Sequence, residues 1–183
     1  MKIPARMIRS VIPCQAKNDG RYYLNGFNVT SKFIQSTNGH VAVQLTHGIK
    51  GLKKGIYNIK SKIPKKCETV EFVLKKNTNI VKFIDFYGEL IGVSMVEVIK
   101  GKFPDINTRV VSEIIKKPIN NNVTPMINAK YLALTERVFA GSIHTSVELE
   151  FRGGDTGVIV KCYDENYNDS HGSPLMIIMP VRR

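Results

Sequence analysis

The spacing of hydrophobic positions changes several times along the chain, and each change marks an element. Met7, Ile8, Val11 and Ile12 recur at helical intervals. At about 100° per residue they fall on one face, with Arg6 and Arg9 on the opposite one. Pro4 suits a first helical position, whose N–H has no partner in any case, and Pro13 limits the helix. The segment Lys17-Asn18-Asp19-Gly20 then reads as a turn. The expected element is a short amphipathic helix with an apolar back and a basic front.

Strand patterns follow. Residues 21–29 are rich in aromatic and branched side chains. Residues 32–36 and 40–45 flank Asn38-Gly39, a hairpin signal because both residues tolerate positive φ. Residues 56–60 form another short run, and 68–75, 79–86 and 90–99 give three more, punctuated by Lys76-Asn77 and Tyr87-Gly88. Residues 61–66 stand where a second helix would fit, yet Pro64 leaves room for one turn at most. The sheet pattern breaks at residues 100–105, and residues 118–122 read as a polar connector. A second helix is expected at 128–139, with Ile127, Tyr131, Leu134 and Val138 as its apolar stripe and Lys130 and Arg137 on the polar side. Strands at 146–151, 157–162 and 175–181 finish the chain. One helix followed by antiparallel strands, repeated, describes an α+β protein.

Charge sharpens this outline. The 183 residues carry a formal net charge of +12, which favours polyanionic partners. Residues 50–76 hold nine lysines against Glu68 and Glu71, whereas residues 148–169 hold six acids against Arg152 and Lys161. A basic helix face on an antiparallel sheet suits phosphate contacts that give affinity without reading sequence. Cys14, Cys67 and Cys162 lie too far apart in sequence for a metal-type pair. They are expected to be reduced core thiols. His40, His47, His144 and His171 are scattered, and no nucleotide loop or nucleophile motif accompanies them. No cofactor, no catalytic residue and no metal site is expected. With no apolar run of membrane-span length and no leader, the chain is expected to be cytoplasmic, with no membrane partner.

Four segments together resemble the bacterial sliding clamp, the β subunit of DNA polymerase III. They are Arg21-Tyr22-Tyr23-Leu24-Asn25-Gly26, Thr37-Asn38-Gly39-His40, Gly101-Lys102-Phe103-Pro104-Asp105 with Arg109-Val110, and the terminal Met179-Pro180-Val181-Arg182. The resemblance implies the DNA-clamp fold, with antiparallel sheets and amphipathic helices on one face. Residues 1–111 resemble the family's central domain, 112–122 a linker, and 123–183 the second half of its last domain. The chain would thus be a shortened clamp, of the kind a phage or mobile element carries. Departures are Asn38 for the family's Asp, Val41 where an Arg is common, and the reduced segment around Pro64.

The resemblance also implies a function: a non-catalytic processivity or accessory factor in DNA replication. Its implied partners are double-stranded DNA, polymerases and other proteins with clamp-binding motifs, a clamp loader, and further copies of itself. The DNA-facing residues would be Arg6, Arg9, Lys17, Asn18, Tyr22, Tyr23, Lys130 and Arg137. The peptide-binding pocket would comprise Leu24, Thr37, Gly39, His40, Val41, Ala42, Pro104, Arg109, Val110, Ile177, Met179, Pro180, Val181 and Arg182. Two alternatives stay open: a clamp mimic that competes for clients without encircling DNA, and a basic DNA-binding domain with neither property.

Overall fold

The computed structural model describes residues 1–76, 78–142 and 146–181. Asn77, expected in a turn, His144, and Arg182, expected in the pocket, lie outside the described residues. The strands are β1 (Lys2–Pro4), β2 (Phe27–Val29), β3 (Phe33–Thr37), β4 (Val41–Thr46), β5 (Gly55–Ile59), β6 (Thr69–Leu74), β7 (Asn79–Ile84), β8 (Leu90–Ile99), β9 (Val147–Glu150), β10 (Val158–Cys162) and β11 (Leu175–Ile178). The helices are α1 (Ala5–Val11), α2 (Ser112–Ile115), α3 (Ala129–Leu132), α4 (Thr135–Val138) and α5 (Glu165–His171).

All the strands pair antiparallel, in the order β1-β6-β7-β8-β5-β2-β3-β4-β11-β10-β9. This is an α+β fold in which one sheet runs without a break from β1 to β9. The seam is the pairing of β4 with β11, where Ala42 stands opposite Ile177 and Val43 opposite Met176. Strand alternation then sorts the side chains onto two faces. Val41, Val43, Leu45, Met176 and Ile178 join the main core, which α1, Val138 and Phe139 cover. Ala42 and Ile177 point the other way, into a smaller cluster with Ile106, Val111, Ile114 and Ile159. Because both faces are covered, β4 is buried from Val41 to Leu45 and reads as a nearly unbroken apolar run.

The N-terminal helix forms as its spacing predicts, with Met7, Ile8 and Val11 buried, and continues through a 3₁₀ turn, Ile12–Cys14. Elsewhere the local outcome differs from the sequence expectation. Only Phe27–Val29 of residues 21–29 is strand, since Tyr22–Leu24 close a 3₁₀ turn. In the hairpin only Gly39 takes positive φ. Asn38 instead accepts the backbone N–H groups of His40 and Val41 on its side chain. The expected second helix splits into α3 and α4, with Asn128 capping α3 by accepting the Lys130 N–H. Two helical stretches were not among the elements expected from the sequence. One is a π-helical turn, Asn107–Val111, at the end of the segment that resembles the central domain, and it leads into α2, which lies in the segment that read as a linker. The other is α5, capped by Asp164 and ended by Gly172 in the left-handed conformation.

Residues 61–66 form no helix. The Arg9 guanidinium holds this segment instead, donating to the carbonyls of Pro64, Lys65 (3.1 Å) and Cys67 (3.0 Å). A side chain from the first helix thus replaces the internal hydrogen bonds that a second helix would have supplied.

Candidate functional site: a cavity on the strand seam and a basic cleft behind it

On the outer face of the β4–β11 seam lies a cavity of about 420 Å³. Ala42 and Ile177, paired across the seam, contribute its apolar floor. One wall is the helical stretch ending in α2, which brings Ile106, Val110 and Ile114 over the seam. Two hydrogen bonds fix the start of that wall. Asp105 accepts the Thr108 N–H at 2.9 Å, and the Gln44 amide donates to Asn107 at 3.1 Å. The Thr108 contacts also hold the pKa of the Asp105 carboxyl below its ordinary value, with Arg109 acting in the same direction.

The opposite wall is the β3–β4 hairpin with Leu24 and Tyr23. Here Gly39 has a specific role: its φ of +92° is one that other residues rarely adopt, and the Arg21 guanidinium sits against the turn it makes. Arg21 is held there by Asp19 at 2.8 Å and by the Asn38 carbonyl at 3.2 Å. Hydrogen bonding to Arg21 keeps the Asp19 carboxyl at about 2, so it remains ionised. Met179 closes one end, its N–H donating to the His40 carbonyl at 2.8 Å. The result is an apolar hollow rimmed by Arg21, Arg109, Glu113, Lys117 and Asp155. Such a site accepts one or two apolar side chains while its rim pairs with backbone or charged groups.

Eleven of the residues nominated for a pocket line this cavity: Leu24, Thr37, Gly39, His40, Val41, Ala42, Pro104, Arg109, Val110, Ile177 and Met179. Pro180 and Val181 do not line it, and Val181 is exposed, with its N–H donating to the Met126 carbonyl. Sequence reasoning missed Ile106, Glu113, Ile114 and Lys117, although Ile106, Val110 and Ile114 recur at helical intervals and were the signal that marks residues 107–115 as helical. It also missed Gly157, where a Cβ would meet Ile114 and Ile177 at 2.8 Å.

On the helix side of the sheet lies an open cleft of about 1160 Å³. It is lined by Arg9, Lys17, Arg21, Lys60, Lys62, Lys65, Lys130 and Arg137, with Asp19 as the acidic residue among its lining. Four of the nominated DNA-facing residues are here: Arg9, Lys17, Lys130 and Arg137. The rest are elsewhere. Arg6 donates to the Ser170 carbonyl at 2.7 Å, Asn18 occupies a positive-φ turn, Tyr22 packs edge-on to Tyr23, and Tyr23 lines the seam cavity. His40 touches both hollows and stacks on Tyr131, ring centres 5.4 Å apart.

Little else in the molecule invites chemistry. Cys14, Cys67 and Cys162 are buried, and burial pushes the Cys14 thiol up to about 12. Tyr167 is buried and pushed to about 12 for the same reason. Its hydroxyl donates to the Val138 carbonyl and meets Ser10, tying α5 to α4 and α1. Among the described residues no cluster of His, Cys, Asp and Glu could hold a metal ion, and no helix is long and apolar enough to cross a membrane.

No family model matches the chain, and no curated protein matches it at a significant level. Solved structures do. A DNA polymerase sliding clamp from Pseudomonas aeruginosa superposes with a TM-score of 0.61 at 14% identity. That from Bacillus subtilis gives 0.62 at 12%, and the β subunit of DNA polymerase III from Thermotoga maritima gives 0.59 at 13%. Each match covers 100% of this chain but only 64–66% of the other. The chain therefore has the sliding-clamp fold and spans just under two thirds of the length of these clamps.

Proposed function

We propose that this protein is a non-catalytic clamp-type accessory factor of DNA replication. In this reading it captures a short peptide segment of a polymerase or another replication protein in the seam cavity, while its basic cleft rests on double-stranded DNA. The observation that carries the reading is the cavity itself. It lies where β4 meets β11, so residues far apart in the sequence together form one apolar, polar-rimmed hollow. The cleft supports the DNA half of the reading. Eight cations against one carboxylate suit phosphate contacts, whose strength falls steeply with salt.

Such a protein needs no chemistry of its own. It acts by holding a client near its template and so raising the client's effective concentration. Residence on DNA, a clamp loader and assembly with further copies belong to the same proposal. Fluorescence anisotropy with labelled peptides carrying a polymerase clamp-binding motif tests the central part. Binding is expected, and Met179→Ala should weaken it about tenfold, a loss of about 1.4 kcal/mol, with the fold intact because Met179 is partly exposed. Absence of binding by every such peptide would overturn the client half. Salt-insensitive or absent DNA binding would overturn the other.

A further inference from the structure

Of the nine lysines between residues 50 and 76, the basic cleft takes Lys60, Lys62 and Lys65. Lys50, Lys53 and Lys54 belong instead to the loop that joins β4 to β5, His47-Gly48-Ile49-Lys50-Gly51-Leu52-Lys53-Lys54. This loop leaves the end of β4 away from His40, and the extended chain between them puts the two histidines about 20 Å apart. Where the loop faces the β2–β3 turn there is a separate cavity of about 360 Å³. Lys50 and Lys54 are among its lining, together with Ser31 and Gly51, and no carboxylate is.

Both walls are held in place. The Thr30 hydroxyl accepts the N–H groups of Lys32 (3.2 Å) and Phe33 (2.8 Å), which closes the β2–β3 turn. The His47 N–H donates to the Lys32 carbonyl at 2.9 Å. At the other end of the loop the Tyr57 hydroxyl donates to the Lys53 carbonyl at 2.9 Å. Ile49 and Leu52 pack against the main core, while Lys50 and Lys54 stay exposed. The N–H groups of Gly48, Ile49 and Lys50 bond to no acceptor among the described residues. His47 is the second observation. It is 4% exposed, its ring belongs to the lining of the cavity, and its Nε2 donates to the Thr30 carbonyl at 3.0 Å. Its Nδ1 is buried with no partner among the described residues. An orphaned buried nitrogen is costly and rare in a folded protein, so it calls for a partner.

We propose that this cavity binds the phosphate group of a phosphate monoester. Lys50 and Lys54 supply the opposite charge, and the free N–H groups of the loop supply short donors to the phosphate oxygens. His47 adds selectivity. With Nε2 donating to Thr30, Nδ1 accepts a hydrogen bond when the ring is neutral and donates one when it is protonated. A phosphate monoester loses its second proton at about pH 6. Near neutrality it therefore offers a P–OH to the neutral ring or a bare oxygen to the protonated one. Sulfate is fully ionised and offers only the oxygen. The volume stands at the small end of ligand pockets, with room for a phosphate and part of the sugar that carries it. A free nucleotide and the 5′-phosphorylated end of a DNA strand present the same group. Neither the seam cavity nor the basic cleft includes a residue of this loop, so the inference does not rest on the peptide or duplex-DNA reading.

Titration of the full chain with deoxyadenosine monophosphate, followed by the histidine ring signals in proton–carbon NMR, tests it. The His47 signals, identified by their loss in His47→Gln, should move with the nucleotide and report this cavity apart from the basic cleft. Replacing the two exposed lysines together, Lys50→Gln with Lys54→Gln, should raise the dissociation constant about tenfold or more. His47→Gln places an amide N–H where Nε2 stood and removes Nδ1, and it should weaken binding in the same direction. Lys75→Gln with Lys76→Gln takes the same charge from the exposed β6–β7 turn and should change little. A 5′-phosphorylated oligonucleotide that displaces the nucleotide better than its unphosphorylated form assigns the site to DNA ends. Equal displacement assigns it to free nucleotides. His47 signals that stay still throughout the titration overturn the inference. So does an equal loss in the Lys75 and Lys76 variant, or sulfate that competes as well as inorganic phosphate.

Discussion

Glu150 offers the sharpest test of how the pocket wall is held. It is 7% exposed, and its carboxylate takes Arg152 at 2.9 Å and Lys161 on its other oxygen. Arg152 in turn donates to the carbonyls of Ile115 (2.8 Å) and Lys117. One carboxylate therefore aligns the guanidinium that fastens the end of α2, and α2 is the wall of the seam cavity. Glu150→Gln keeps the shape and removes the charge. Breaking a fully buried pair costs about 3–5 kcal/mol. Lys161 is partly exposed and can turn to water, and Arg152 keeps two carbonyls, so about 2 kcal/mol is the expected loss here. For a chain of this size that lowers Tm by about 4–8 °C.

The pH dependence of this loss follows from the same contacts. Burial raises the pKa of Glu150, but hydrogen bonds from Lys161 and Arg152 outweigh it, and the carboxyl ends below its ordinary value of 4.5. A depressed carboxyl contributes its stability in full above the unfolded value and loses it as pH falls through the folded one. Urea or thermal unfolding followed by circular dichroism should therefore show the deficit of Glu150→Gln at pH 7, shrinking as the pH drops below 4.5. Hydrogen exchange at residues 112–117 should quicken in the variant at neutral pH. An equal deficit at both pH values, or a change in Tm under about 1 °C at pH 7, would refute the reasoning.

Three further outcomes are expected. Gly172→Ala should cost well over 2 kcal/mol, because the residue adopts positive φ and its new Cβ would sit against the Thr46 carbonyl oxygen; denaturant unfolding measures this. Arg9→Ala should destabilise the fold by about 1–3 kcal/mol through the three carbonyls it releases, whereas Arg137→Ala should weaken salt-dependent DNA binding with little change in Tm; comparing both readouts for both variants separates the two roles. Gly157→Val should shrink the cavity against Ile114, Ile177 and Met179, reducing motif-peptide affinity while lowering stability by about 1–3 kcal/mol, as titration and melting would show.

Much of the molecule was legible from residue order alone. Runs of branched and aromatic residues bounded by turn signals marked β6, β7, β8 and β10 to within a residue or two, and the helical spacing of Met7, Ile8, Val11 and Ile12 marked α1. These elements carry their burial pattern in their own sequence, so a local reading suffices. The elements that sequence reading missed are those whose burial is decided by distant partners. Residues 107–115 become helical where Ile106, Val111 and Ile114 find the outer face of β4 and β11. The polar helix α5 buries only Tyr167, against Val138 and Ser10. The basic residues tell the same story: sequence counted Arg6 and Arg9 alike as a basic front, yet packing commits Arg6 to Ser170 and Arg9 to the segment at Pro64.

Sequence by itself thus determined the α+β class, the excess of positive charge and most residues that the seam cavity recruits. Tertiary structure alone decided that β4 would pair with β11, more than a hundred residues away. That pairing turns two separate apolar alternations into one floor with a hollow above it. A strand states in its own residues that it needs a partner on each edge and cover on each face. It does not state which strand will supply them, because backbone hydrogen bonds are the same for every partner and only the whole packed sheet selects among them.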